Sequence, residues 1–142
     1  MSRLEAWLVH LSTLLVGVTG LLYAWVKYVL GPVSSYSVVG SAWRPTVEHL
    51  HLLAAPLLVF AMGLIWRRHA WSQFRRRIRR RRSSGLVLLV MLAPMIVSGY
   101  LLQTTSRSEW HRAWVWVHLG TSVLWLGAYV AHQLTVVGAE RE

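Results

Sequence analysis

Seven histidines are the residues of this 142-residue chain best suited to chemistry. Five of them, His10, His49, His51, His118 and His132, lie inside or beside long apolar stretches. An ionisable residue placed among apolar ones is expensive to keep and is a functional-site hypothesis by default. Neutral imidazole offers a lone pair to a metal. His118 and His132 are fourteen residues apart. On a helix that is nearly four turns, so both project from almost the same side, separated by about 21 Å along the axis at roughly 1.5 Å per residue. Two b-type haems stacked across a bilayer need that spacing. Two axial imidazoles fill the coordination sphere of a haem iron, which favours electron transfer over oxygen activation.

The elements that must position these residues are four apolar stretches, residues 4–30, 46–66, 85–102 and 110–137. Each reaches or approaches the roughly 20 helical residues that cross a bilayer. Helices are the expected spanning element, because lipid satisfies no backbone hydrogen bond. The first stretch ends at Gly31-Pro32 and the second begins after Arg44-Pro45, while Pro56 and Pro94 fall inside spans and are expected to kink them. A run this long, holding His10 and Lys27, is unlike a cleaved signal core. No internal repeat or linker divides the chain, so residues 1–142 read as one all-α domain, a four-transmembrane-helix bundle.

Composition agrees. Hydrophobic residues make up 55% of the chain and charged residues 14%, against about a quarter charged in soluble domains. The net charge of +10 does not spread over a nucleic-acid-binding surface, because nine of the fifteen basic residues lie between Arg67 and Arg82. That loop, with the termini, carries eleven Lys and Arg against four on the other side (Lys27, Arg44, Arg107, Arg112). The positive-inside rule then puts both termini and loop 67–82 in the cytoplasm. The loop also suits anionic lipid headgroups. Tryptophans at 7, 25, 43, 66, 71, 110, 114 and 116 cluster near span ends as interface anchors. Cysteine is absent, which excludes disulfides, thiolate ligands, iron–sulfur clusters and covalent c-type haem attachment.

With that topology the histidines fall into two level pairs. His10 and His132 lie near the cytoplasmic ends of helices one and four, and His118 lies near the outer end of helix four. Either His49 or His51 lies near the outer end of helix two. The face of His51 carries Ala54, Ala55, Leu58 and Met62, whereas His49 is followed on its face by Pro56 and Phe60, so depth and face favour His51. Gly17, Leu21, Ala24 and Tyr28 fall near the face of His10, and Ser122, Trp125 and Tyr129 near that of His118. Gly17 would let a flat macrocycle approach the backbone, although small residues also serve plain helix packing. Arg44, Arg107 and Arg112 are counter-charges for haem propionates or solvated loop residues.

Four helices with His10 on the first, His51 on the second and the pair His118/His132 on the fourth resemble the di-haem cytochrome b subunits of membrane-bound formate dehydrogenases and nickel–iron hydrogenases. The resemblance covers all four spans and rests on the histidine pattern. It implies two haem b groups, one held by His51 and His118 near the outer face and one by His10 and His132 near the cytoplasmic face. It further implies electron transfer with quinone, in the bacterial inner membrane, beside other redox subunits, a c-type cytochrome or an iron–sulfur protein. This chain departs from the family in its short loops and small C-terminal extension, which leaves the docking of a large catalytic partner without an evident platform. Two other classes remain in view. One is a stand-alone quinol-linked or ferric reductase, and the other a haem-free structural or metal-transport subunit. Zinc and copper transport usually recruits carboxylates or sulfur, yet the chain has no Asp, and Glu48 is the one Glu near a candidate site.

Overall fold

The computed structural model describes residues 2–30, 38–72 and 82–139. Every regular element among them is helical. Helix α1 spans Arg3–Ala24 and continues through a π-helical turn, Trp25–Val29. Helix α2 spans Val38–Ile65 and runs into a second π-helical turn, Trp66–Ala70. Helices α3 and α4 span Arg82–Thr104 and Ser108–Ala139. Four helical stretches are long and apolar enough to cross a membrane: Arg3–Val29, Trp43–Ile65, Ser83–Thr104 and Ser108–Leu134. Most of the basic loop at 67–82 lies outside the described residues.

The chain forms two compact units, Met1–His69 and Ala70–Glu142. In the first, α1 packs on α2; in the second, α3 packs on α4.

The entry to α1 is a capping box. Ser2 Oγ accepts from the Glu5 backbone N–H at 3.1 Å, and Glu5 Oε2 accepts from the Ser2 N–H at 2.7 Å. Two donors that a helix start leaves orphaned are thereby satisfied. Helix α2 begins at Val38, eight residues before the expected start at 46, and passes through Pro45 as well as Pro56. A proline within a helix removes one backbone bond without stopping it when neighbouring groups absorb the loss. Only three residues, Thr105–Arg107, join α3 to α4. The Thr105 N–H donates to the Leu101 carbonyl and the His111 N–H to the Arg107 carbonyl, both at 2.9 Å.

The seam of the first unit follows from residue size and phase. On α2 the buried residues Val47, Ala54, Leu58, Ala61 and Ile65 repeat at alternating three- and four-residue steps once His51 is included. They face Val9, Ser12, Thr13, Gly17 and Thr19 of α1. Small residues let two backbones approach, which matters where lipid is as apolar as leucine and burial alone gives little drive. The outward faces are equally apolar: Leu14, Leu53, Val123 and Leu134 are 63%, 74%, 63% and 66% exposed.

Candidate functional site

His51 occupies a position in the buried stripe of α2, so its imidazole enters the α1–α2 seam half-buried. Its Nδ1 lies 3.2 Å from Thr19 Oγ1. Beside Thr19 is Gly20, where an added Cβ would stand 2.9 Å from His51 Cε1. The ring fits because that residue has no side chain. His49 is exposed instead, on the side of the helix where Pro56 and Phe60 are also exposed. The two histidines that sequence left open therefore differ in surroundings, one in the seam and one outside it.

In the second unit the polar side chains form a ladder. His118, Trp125 and His132 follow one another on α4 at seven-residue steps, two helical turns each. His118 Nδ1 lies 3.0 Å from the Met95 carbonyl and 3.2 Å from Ser98 Oγ. Trp125, 1% exposed, donates from Nε1 to the Leu88 carbonyl at 3.1 Å and stacks on Tyr129 with centroids 5.7 Å apart. His132 Nδ1 lies 3.1 Å from Ser84 Oγ. Ser84 and Ser98 are themselves fourteen residues apart, matching the histidines in antiparallel register. A glycine follows each serine. A Cβ on Gly99 would meet His118 Cε1 at 3.2 Å, and one on Gly85 would meet His132 Cε1 at 3.9 Å.

His10 is half-buried on α1, with Thr13 and Gly17 buried on the same flank. Leu21 and Tyr28, expected on that face, are 59% and 50% exposed, so the buried flank runs to one side of the straight line through His10. Thr13 is 4% exposed, and its Oγ1 is buried without a hydrogen-bond partner among the described residues. From His10 to the Thr19-Gly20 step that receives His51 is nine to ten residues, about 14 Å of helix at roughly 1.5 Å per residue. The lean of the His10 side chain towards the start of α1 carries its ring further from that step.

No protein-family model, curated protein or solved structure matches this chain.

Of the arginines expected as counter-charges, Arg44, Arg107 and Arg112 are all exposed. Arg44 belongs to a charged group at one end of the first unit. There Lys27 Nζ donates to the Tyr23 hydroxyl at 3.2 Å and lies 5.1 and 5.5 Å from the ring centroids of Tyr23 and Tyr28. Glu48 and Arg44 both interact electrostatically with Tyr23 and with Lys27. Lysine held over aromatic rings in this way is favourable. Among the described residues no three His, Cys, Asp or Glu side chains gather as a metal-ion cluster.

Reading the sequence by histidine position missed Thr19, Gly20, Ser84, Gly85 and Ser98. The signal was present as a hydroxyl–glycine dipeptide recurring three times within apolar spans, twice at the histidines' own fourteen-residue spacing.

Proposed function

We propose that the chain is a membrane-embedded di-haem b-type cytochrome subunit that passes electrons between the quinone pool and a redox partner complex or periplasmic cytochrome. The observation that carries this reading is the doubled spacing on the second unit, where two half-buried histidines of α4 each meet a Ser-Gly step of α3, fourteen residues apart in both helices. A lone membrane histidine needs no such repetition to bridge helices. The donor set suits haem, which takes two imidazoles per iron rather than a cluster of three or four ligands. Next to His10, the buried Thr13 hydroxyl has no hydrogen-bond partner among the described residues and is open to a bound polar group.

Haem, when bound, supplies one-electron chemistry at its iron. The chain supplies the ligands, with His51 and His118 proposed for one haem and His10 and His132 for the other. Its seams hold the rings through hydroxyl and carbonyl groups, and its apolar spans keep water away. Arg44, Arg107 and Arg112 are proposed to pair with propionates on the outer side, since guanidinium matches carboxylate geometry. The charge asymmetry supports an inner-membrane topology with loop 67–82 in the cytoplasm.

Replacing one ligand tests the pairing. His118→Ala is expected to remove half of the b-type haem per chain, read by reduced-minus-oxidised absorbance, and to leave the remainder with an intact spectrum. Loss of all haem in a chain that still inserts, or of none, would contradict it.

A further inference from the structure

The hydrogen bonds of the Thr19 and Ser98 hydroxyls bear on which nitrogen of His51 and His118 carries the proton. Thr19 Oγ1 has one proton, and it points at backbone carbonyls, Leu15 at 2.7 Å and Val16 at 3.2 Å. Carbonyl oxygens only accept. The 3.2 Å contact between Thr19 Oγ1 and His51 Nδ1 must then be donated by the imidazole. His118 leads to the same result by another route. Its Nδ1 lies 3.0 Å from the Met95 carbonyl, an acceptor, so Nδ1 carries the proton. Ser98 Oγ, which donates to that same carbonyl at 3.1 Å, faces His118 Nδ1 with its lone pair. In a neutral imidazole with a proton on Nδ1, the lone pair sits on Nε2.

From this accounting we infer that Thr19 and Ser98, with the Met95 carbonyl, are positioning groups that set His51 and His118 in the Nδ1–H tautomer. The inference rests on the haem reading above for its purpose and adds the residues that select which nitrogen faces iron. A partner that accepts the ring's other N–H fixes tautomer and orientation and raises the basicity of the coordinating nitrogen. Glycine at the following position completes the device for these two rings, because a Cβ would stand 2.9 Å from His51 Cε1 at Gly20 and 3.2 Å from His118 Cε1 at Gly99, whereas 3.9 Å at Gly85 is ordinary contact with His132. Hydroxyl and glycine thus act as a unit, one holding the nitrogen and the other admitting the ring.

The test reads protons on the rings, independently of activity. Protein with 15N-labelled histidine, as purified and held reduced in lipid nanodiscs above the imidazole titration range, is examined by 15N–1H correlation spectroscopy, with His51 and His118 assigned by single replacement. The expected result is an N–H on Nδ1 at both. Thr19→Val, close in shape but without the hydroxyl, is expected to displace or abolish the His51 Nδ1–H signal and leave that of His118 in place. Thr19→Ser is expected to restore it, which a general packing defect would not allow. Ser98→Ala is expected to shift the His118 signal without removing it, since Met95 still accepts. An N–H on Nε2 at either histidine in the unaltered protein, or a His51 signal indifferent to Thr19→Val, overturns the inference. Colourless protein with both Nδ1–H signals would remove the haem reading and leave the tautomer assignment standing, and haem-replete protein with the wrong tautomer would do the reverse.

Discussion

The distance from a missing Cβ to an imidazole differs among the three glycines that face histidines, and that difference gives a graded prediction. At Gly20 a methyl group would stand 2.9 Å from His51 Cε1, closer than real Cβ atoms come, so either the ring or the helix must move. Overpacking of that kind costs about 1–3 kcal/mol. Gly20→Ala is therefore expected to lower thermal stability in detergent and to reduce haem per chain. Gly85→Ala, with 3.9 Å to His132, is expected to change neither. Equal tolerance of the two would mean that the His51 ring is not confined as described. At this scale the positions and spacing of the histidines were legible in the sequence, and the face argument separated the half-buried His51 from the exposed His49 because apolar phase carries that information. Hydroxyl partners were hidden because serine and threonine in apolar helices usually bond their own backbone, as Ser12 does to Leu8 at 2.7 Å and Thr121 to Val117 at 2.7 Å. Only the neighbouring helix reveals which hydroxyls have a second task.

At the scale of elements, α3 and α4 are joined by polar ties at regular intervals, and Trp125 is the middle one. It is 1% exposed and its indole N–H reaches the Leu88 carbonyl. In lipid the transfer part of burial is small, so the tie acts through packing and one hydrogen bond. Trp125→Phe is expected to cost roughly 1 kcal/mol, the worth of one such bond. Trp125→Ala, which opens a cavity, is expected to fall near the lower end of about 3–5 kcal/mol. Reversible unfolding of the purified protein in mixed micelles would measure both, and equal costs would deny the cavity argument. The spans themselves were readable within a few residues, since length and hydropathy decide them. The early start of α2 at Val38 was not, because Arg44-Pro45 looks like a boundary in any sequence and only the local environment lets a helix run through it. The departures of Leu21 and Tyr28 from the His10 face have a similar origin. The seam follows Thr13 and Gly17, whose small size lets α2 approach, rather than the geometric line through His10.

For the whole molecule, orientation is the claim most open to a direct check, and the absence of cysteine makes the check clean. Ser106→Cys, in the turn between α3 and α4, is expected to react with a membrane-impermeant thiol reagent from outside intact cells. Ser72→Cys, within the basic stretch 67–82, is expected to react only after permeabilisation. The opposite pattern would reverse the topology drawn from eleven basic residues against four. Among the described residues, four helices are long and apolar enough to cross a membrane, as length and hydropathy led one to expect. The function rests instead on a constellation of side chains, and fold does not supply it.

The most direct measurement of the central claim is the haem content of the chain purified after expression with ample haem supply, read as a pyridine haemochrome alongside a reduced-minus-oxidised spectrum. Sharp b-type bands and two haems per chain are expected, falling to one in His118→Ala. A colourless, properly inserted chain free of porphyrin would contradict that claim.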